Sequence, residues 1–119
     1  MTAAGYLRAH FPQLKAGEQF DFARHTSIGC GGTAAAWACP SDGEELASLL
    51  ALCERERIPY CFLGAGANVL PQDGLFDGVV IRFCGFRKLE AEGCIVRVGA
   101  GVTGGRLLRF ARENCLAGA

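Results

Sequence analysis

Leu46, Leu49, Leu50 and Cys53 fall at i, i+3, i+4 and i+7, with Ala47 beside them. That period gathers the apolar side chains on one face of an α-helix. The polar stretch before them, Ser41-Asp42-Gly43-Glu44, fits a capping box in which the serine side chain and the glutamate three residues on satisfy each other's free backbone amides. Glu44 and Glu45 in the first turn and Arg55 and Arg57 in the last suit the helix dipole, and Pro59 closes the element. On either side the period is lost. Residues 33–39 (TAAAWAC) form a short apolar run stopped by Pro40, which cannot donate to a sheet ladder, and residues 60–63 (YCFL) form another. Strand, capped helix and strand within about thirty residues predict a βαβ unit with parallel strands and a right-handed crossover.

Outside this unit the pattern is weaker. Leu7, Phe11 and Leu14 recur at helical spacing, but Gly5 and Pro12 limit the regular part to a short, peripheral lead helix over 2–11. A loop over 15–18 precedes an extended segment over 19–24. Residues 78–83 (GVVIRF) and 94–98 (CIVRV) read as strands separated by a charged stretch and turn over 87–92, so the later part of the chain reads as an antiparallel meander. Leu107, Leu108, Ala111 and Cys115 mark one face of a last helix.

Composition narrows the class. At 119 residues the chain has the size of a single domain, and 50% hydrophobic residues with twelve basic side chains against twelve acidic ones describe an ordinary folded protein. Arg106, Arg109 and Arg112 are the one local basic cluster, and their spacing makes them a solvated helix flank, so no nucleic-acid partner is expected. No apolar stretch reaches membrane-spanning length and the N-terminus has no signal-like apolar region, which points to a cytoplasmic protein without a membrane partner. The seven cysteines form no CxxC pair and read as free, mostly buried thiols, with Cys30 in its glycine cluster as the exposed one; no metal site is expected.

The candidate chemistry lies in loops of small residues. Gly64-Ala65-Gly66-Ala67-Asn68 follows the strand over 60–63. Residues with so little side chain let successive backbone N–H groups point into one hollow, where they bind an anion. The same stretch serves equally as a bend that packs small residues against a neighbour. It is neither a Walker A loop nor a GxGxxG fingerprint, because Val69 stands where the third glycine would be. HTSIGCGG (25–32) raises the same two possibilities, with His25 reading as a solvated loop histidine ahead of a base. No Ser/His/Asp set, carboxylate pair or metal-ligand cluster appears, so reaction chemistry within the segment would come from a cofactor.

The order of these pieces is more specific than any one of them. HTSIGCGGTA, a strand ending at Pro40, the capped helix, IPYCFLGAGANVLPQDGLFDGVVIRF, and VRVGAGV leading into a helix together resemble the N-terminal FAD-binding region of the UDP-N-acetylenolpyruvoylglucosamine reductases. The family pattern N/H-T-S-x-x-x-G-G-x-A is met by His25, Thr26, Ser27, Gly31, Gly32 and Ala34, and LGxGSNLL by Leu63, Gly64, Gly66, Asn68 and Leu70; Ala67 replaces the serine, and Pro71 and Gln72 also depart from the pattern.

The resemblance implies an α/β (α+β) fold of the PCMH/vanillyl-alcohol-oxidase type, with a parallel βαβ subdomain followed by the start of an antiparallel-sheet subdomain. It implies a lead helix and loop over 1–19 and a FAD-binding domain over 20–119, incomplete at its C-terminus and divided near residue 85. It further implies that Gly64, Ala65, Gly66, Ala67, Asn68, Val69 and Leu70 contact FAD, with Ala100, Gly101 and Val102 as additional contacts. NADPH would be the reductant of the complete enzyme in peptidoglycan synthesis. The UDP-sugar substrate and the catalytic arginine, serine and glutamate would belong to a part downstream of a GIPG-type segment, so no catalytic residue is assigned here and the segment alone is expected to be inactive. A related oxidase of the same fold that tethers its flavin, and an α/β module without a cofactor, are the alternatives.

Overall fold

Two parallel strand pairs share one central strand. The computed structural model describes residues 2–26, 28–64 and 73–118. In chain order the elements are α1 (Ala3–His10), β1 (Lys15–Asp21), α2 (Phe22–His25), β2 (Thr33–Cys39), α3 (Gly43–Arg55), β3 (Tyr60–Leu63), β4 (Leu75–Arg82), β5 (Leu89–Glu92), β6 (Ile95–Val98) and α4 (Gly104–Glu113). The main sheet has the order β1-β2-β4-β3, with β1 antiparallel to β2, and β4 parallel to both β2 and β3. The fold is thus mixed α/β, a largely parallel sheet followed by the antiparallel β5–β6 hairpin.

β4 takes the centre because its sequence suits burial on both faces: Val79, Val80 and Ile81 are all fully buried. Val79 and Ile81 join Ala36 and Ala38 of β2 on the face covered by α1 and α3, whose Leu7, Leu49, Leu52 and Cys53 complete that core. The alanines keep the sheet surface flat, so helix side chains of leucine size reach it. Burying one such leucine contributes roughly 1.5–3 kcal/mol. On the other face Val80 and Leu63 meet Phe20 and Phe22, with Trp37 and Phe76 packed at the margin.

Several sequence expectations need correction. α1 is not peripheral, since Ala4 and Leu7 lie in the core. β1 starts at Lys15 and covers the segment read as a loop, while 22–25 turn into helix because Asp21 caps Ala23 N at 3.0 Å. The α3 cap lies one residue further on: Asp42 Oδ1 accepts from Glu45 N at 2.8 Å, and Glu45 Oε1 accepts from Ser41 N at 2.9 Å. Leu52, not Ala47, completes the buried face of α3. The strand read over 78–83 belongs to the parallel sheet, and the charged stretch over 87–92 contains a strand of its own, β5. In α4 only Ala111 is buried; Leu108 is exposed, and Cys115 lies past the end of the helix and is exposed as well. Among the cysteines, Cys39 and Cys53 are buried, and Cys94 and Cys115 join Cys30 at the surface.

The glycine cluster over 25–32 answers part of its own question. Thr33 N donates to the Gly74 carbonyl at 2.9 Å, and a Cβ on Gly32 would run into that same carbonyl. Gly32 is therefore a packing glycine, needed where two backbones meet at the start of β2 and β4.

Candidate functional site

β3 and β4 run parallel and end together, at Leu63 and Arg82. Open α/β sheets present ligands at the carboxyl ends of their strands. Here a cavity of about 200 Å³ opens beside those ends, lined by Gly64, Arg82, Phe83, Cys84, Arg87, Ala100, Gly101, Val102 and Thr103. Gly64 and the later trio Ala100, Gly101 and Val102, far apart in the chain, thus line a single hollow. Ala65, Gly66, Ala67, Asn68, Val69 and Leu70 lie outside the described residues.

The far wall is held by main-chain bonds. Gly99 N donates to Lys88 O and Gly101 N to Phe86 O, each at 2.8 Å, and Val102 N donates to Gly99 O at 3.0 Å. A Cβ on Gly101 would collide with the Phe83 carbonyl, so only glycine lets the 99–102 turn lie against the 83–86 turn. Thr103 caps α4, its Oγ1 accepting from Arg106 N at 3.3 Å, and the Arg106 guanidinium donates to the Arg87 carbonyl at 3.0 Å. These contacts tie the hairpin and α4 to the end of the main sheet. Beside the cavity runs an aromatic row in which Phe62 stacks on Phe83 at 5.4 Å, Tyr60 meets Phe62 at 5.8 Å and Phe86 meets Phe83 at 5.6 Å.

Arg82 and Arg87 are the site residues that sequence reasoning missed. The available signal was a charge inside the apolar run GVVIRF. The Arg82 guanidinium lies over the Phe20 ring at 5.9 Å, and its Nε is sealed from solvent with no hydrogen-bond acceptor among the described residues.

Arg82 also lines a smaller hollow of about 160 Å³ with Lys15, Phe20, His25, Trp37, Cys39 and Cys84. Burial pushes the Cys39 thiol up from its ordinary range, the neighbouring Cys84 thiol pushes the same way, and Lys15 and Arg82 partly oppose both. His25 is not a solvated loop residue: it stacks on Phe20 at 4.3 Å, and its Nδ1 lies 2.9 Å from the Asp21 carbonyl. A wider groove of about 750 Å³ opens near the start of β2 and β4, beside α1. It contains none of the sequence-predicted contacts and lies away from the strand carboxyl ends, so its size does not make it the better candidate. Among the described residues no group of three or more His, Cys, Asp or Glu could hold a metal ion, and no helix is long and apolar enough to cross a membrane.

A diphosphate suits this cavity. The cavity offers two arginines, backbone that approaches closely, and no lining carboxylate.

The chain is 43% identical over 97 residues to the UDP-N-acetylenolpyruvoylglucosamine reductase of Geobacter sulfurreducens, covering 81% of this chain and 32% of that protein. It is 41% identical over 99 residues to the reductase of the same name from Geotalea uraniireducens, with 81% and 32% covered, and 33% identical over 94 residues to that of Clostridium kluyveri, with 79% and 31% covered. The chain therefore spans about a third of the length of the curated relatives it matches.

Among solved structures, Physcomitrella patens BBE-like 1 variant D396N superposes with a TM-score of 0.68 at 14% identity, covering 95% of this chain and 26% of the other. Substrate-bound p-cresol methylhydroxylase superposes at 0.54 and 22% identity, covering 74% and 18%. Both show the shared fold, of the PCMH type expected. The family model described as FAD binding domain matches residues 34–119, from β2 through α4, so this chain belongs to the FAD binding domain family.

Proposed function

We propose that this chain is the FAD-holding N-terminal portion of a UDP-N-acetylenolpyruvoylglucosamine reductase, acting in the cytoplasm in peptidoglycan synthesis and hence in cell-wall formation and division. The carrying observation is the convergence of Gly64 with Ala100, Gly101 and Val102 on one hollow at the ends of β3 and β4. In this reading the backbone of Gly64, Ala65, Gly66, Ala67, Asn68, Val69 and Leu70 seats the FAD diphosphate, and Ala100, Gly101 and Val102 form the opposing wall. On the same reading the FAD-binding domain runs over 20–119 and changes subdomain near residue 85, with the 1–19 lead segment packed onto it through α1 and the first half of β1.

Bound FAD supplies two-electron redox chemistry, with NADPH as the proposed reductant and the enolpyruvyl UDP-sugar as the proposed acceptor in the complete enzyme. The roles proposed for this chain's own residues are binding and orientation. Backbone N–H groups fix the diphosphate, the glycine-only contact at Gly101 keeps the wall close, and the aromatic row from Tyr60 to Phe86 shields one side from water. No residue of this chain is assigned to proton or hydride transfer, and the chain alone is expected to turn over no substrate.

The test is a titration of the chain with FAD followed by flavin fluorescence. Saturable one-to-one binding, released on denaturation, is expected. An unchanged flavin signal at all protein concentrations would overturn the reading, and flavin that stays attached through denaturation would favour a tethering oxidase instead.

A further inference from the structure

The cavity at the ends of β3 and β4 faces two cationic residues, Arg82 and Arg87, and no carboxylate. A guanidinium has only donors and keeps its charge at any physiological pH. In Arg82 the Nε is sealed from water and has no acceptor among the described residues, which leaves the terminal N–H groups to meet a ligand. The ion pairs found among those residues involve neither Arg82 nor Arg87. Residues 65–72, AGANVLPQ, include no acidic side chain that could neutralise either one. The Phe20 ring takes a face of the Arg82 group and fixes its position, yet it does not serve the in-plane N–H. Such a cation is positioned but not neutralised.

Resting on the flavin reading above, we propose that Arg82 is the charge anchor of this seat, its terminal guanidinium N–H groups donating to a phosphate oxygen of the bound dinucleotide, with Arg87 adding a second positive charge to the same cavity. Backbone amides contribute only partial charges, whereas a diphosphate carries full ones. Ala67 brings no hydroxyl to share the task. A charge-assisted bond from a guanidinium is about twice as strong as a neutral one. Arg82 also lines both hollows and closes β4, directly after the buried run Val79, Val80 and Ile81.

The test compares wild type, Arg82→Met, Arg82→Lys and Arg87→Gln by calorimetric titration with three probes: FAD, inorganic pyrophosphate, and riboflavin, which lacks phosphate. Circular dichroism melts report folding. Arg82→Met should weaken FAD and pyrophosphate about tenfold or more, as expected for losing a hydrogen bond to a charged group, and should flatten the salt dependence while leaving riboflavin unaffected. Arg82→Lys keeps the charge but not the forked guanidinium donors, so it should fall between the two, and it decides the matter if the methionine variant does not fold. Wild-type affinity for FAD and pyrophosphate in a folded Arg82 variant would overturn the anchor while the flavin reading stands. Absence of FAD binding by the wild-type chain would instead overturn the flavin reading, and the anchor with it.

Discussion

Gly101 lies against the carbonyl of Phe83 so closely that a methyl group cannot be placed between them, and its own N–H is donated to Phe86 at 2.8 Å. Gly101→Ala must therefore displace one of the two turns that form the cavity wall. The expected loss is about 1–3 kcal/mol, the usual range for forcing extra volume into a packed site. Gly105→Ala is the matched control, because its Cβ would meet open space within α4. It should stabilise by about 0.5–1 kcal/mol. Urea unfolding of the two variants should move the midpoint in opposite directions, and a shift of the same sign in both would contradict the close approach.

Gly66→Asp addresses the other side of the proposed seat. A carboxylate in a loop meant for phosphate adds both bulk and like charge, so flavin content after purification should fall several-fold while the melting temperature holds. Equal flavin content in variant and wild type would remove this loop from the site.

The α3 cap gives a prediction independent of any ligand. Asp42→Ala removes the acceptor for Glu45 N and should cost about 1 kcal/mol, whereas Ser41→Ala removes only a hydroxyl that contacts Glu45 at 3.3 Å and should cost less. If the two thermal shifts came out in the reverse order, the capping frame would be the serine one that the sequence suggested.

Thiol titration supplies a pH dependence. Burial raises the pKa of Cys39, Cys53 and Cys61. A thiol whose folded pKa lies above its unfolded value favours the native state fully at low pH. That advantage is lost as pH climbs through the ordinary thiol range, because the unfolded chain sheds its protons first. Stability should therefore fall on the alkaline side, and less so in a Cys53→Ala variant referenced to its own neutral-pH value. Iodoacetamide should reach the exposed Cys30, Cys94 and Cys115 well before Cys53, as peptide mass mapping would show.

What the sequence disclosed follows from the range of its signals. α3 and β2 were legible because a helical period and a proline stop are local facts about neighbouring residues. The α3 cap slipped by one because Ser41 and Asp42 are both good caps and each has a glutamate three residues on, at 44 and 45. The place of β4 was hidden, since alternation of apolar residues says which faces are buried but not which strand lies alongside. The first half of β1 looked like a loop because Ala16, Gly17 and Glu18 carry no apolar run; its pairing with β2 holds it in the sheet. At the site, small residues at 64 and 100–102 were visible, but their meeting depends on the parallel ends of β3 and β4. Arg82 passed for one more residue of the strand GVVIRF until the cavity around it could be seen.

Pairing of β4 between β2 and β3 also sets an order of events in time. β1 and β2 are neighbours in the chain and can zip together early, and α3 can form on its own pattern. β3, however, pairs among the described residues with β4, a strand made later, so the sheet stays open until residues up to Arg82 are available. Such long-range closure is slow compared with hairpin or helix formation. Trp37, the one tryptophan in the chain, pairs with Val80 and faces the second core. Its fluorescence during refolding should thus report the late insertion of β4, acting as a clock for the step that brings the two halves of the cavity together.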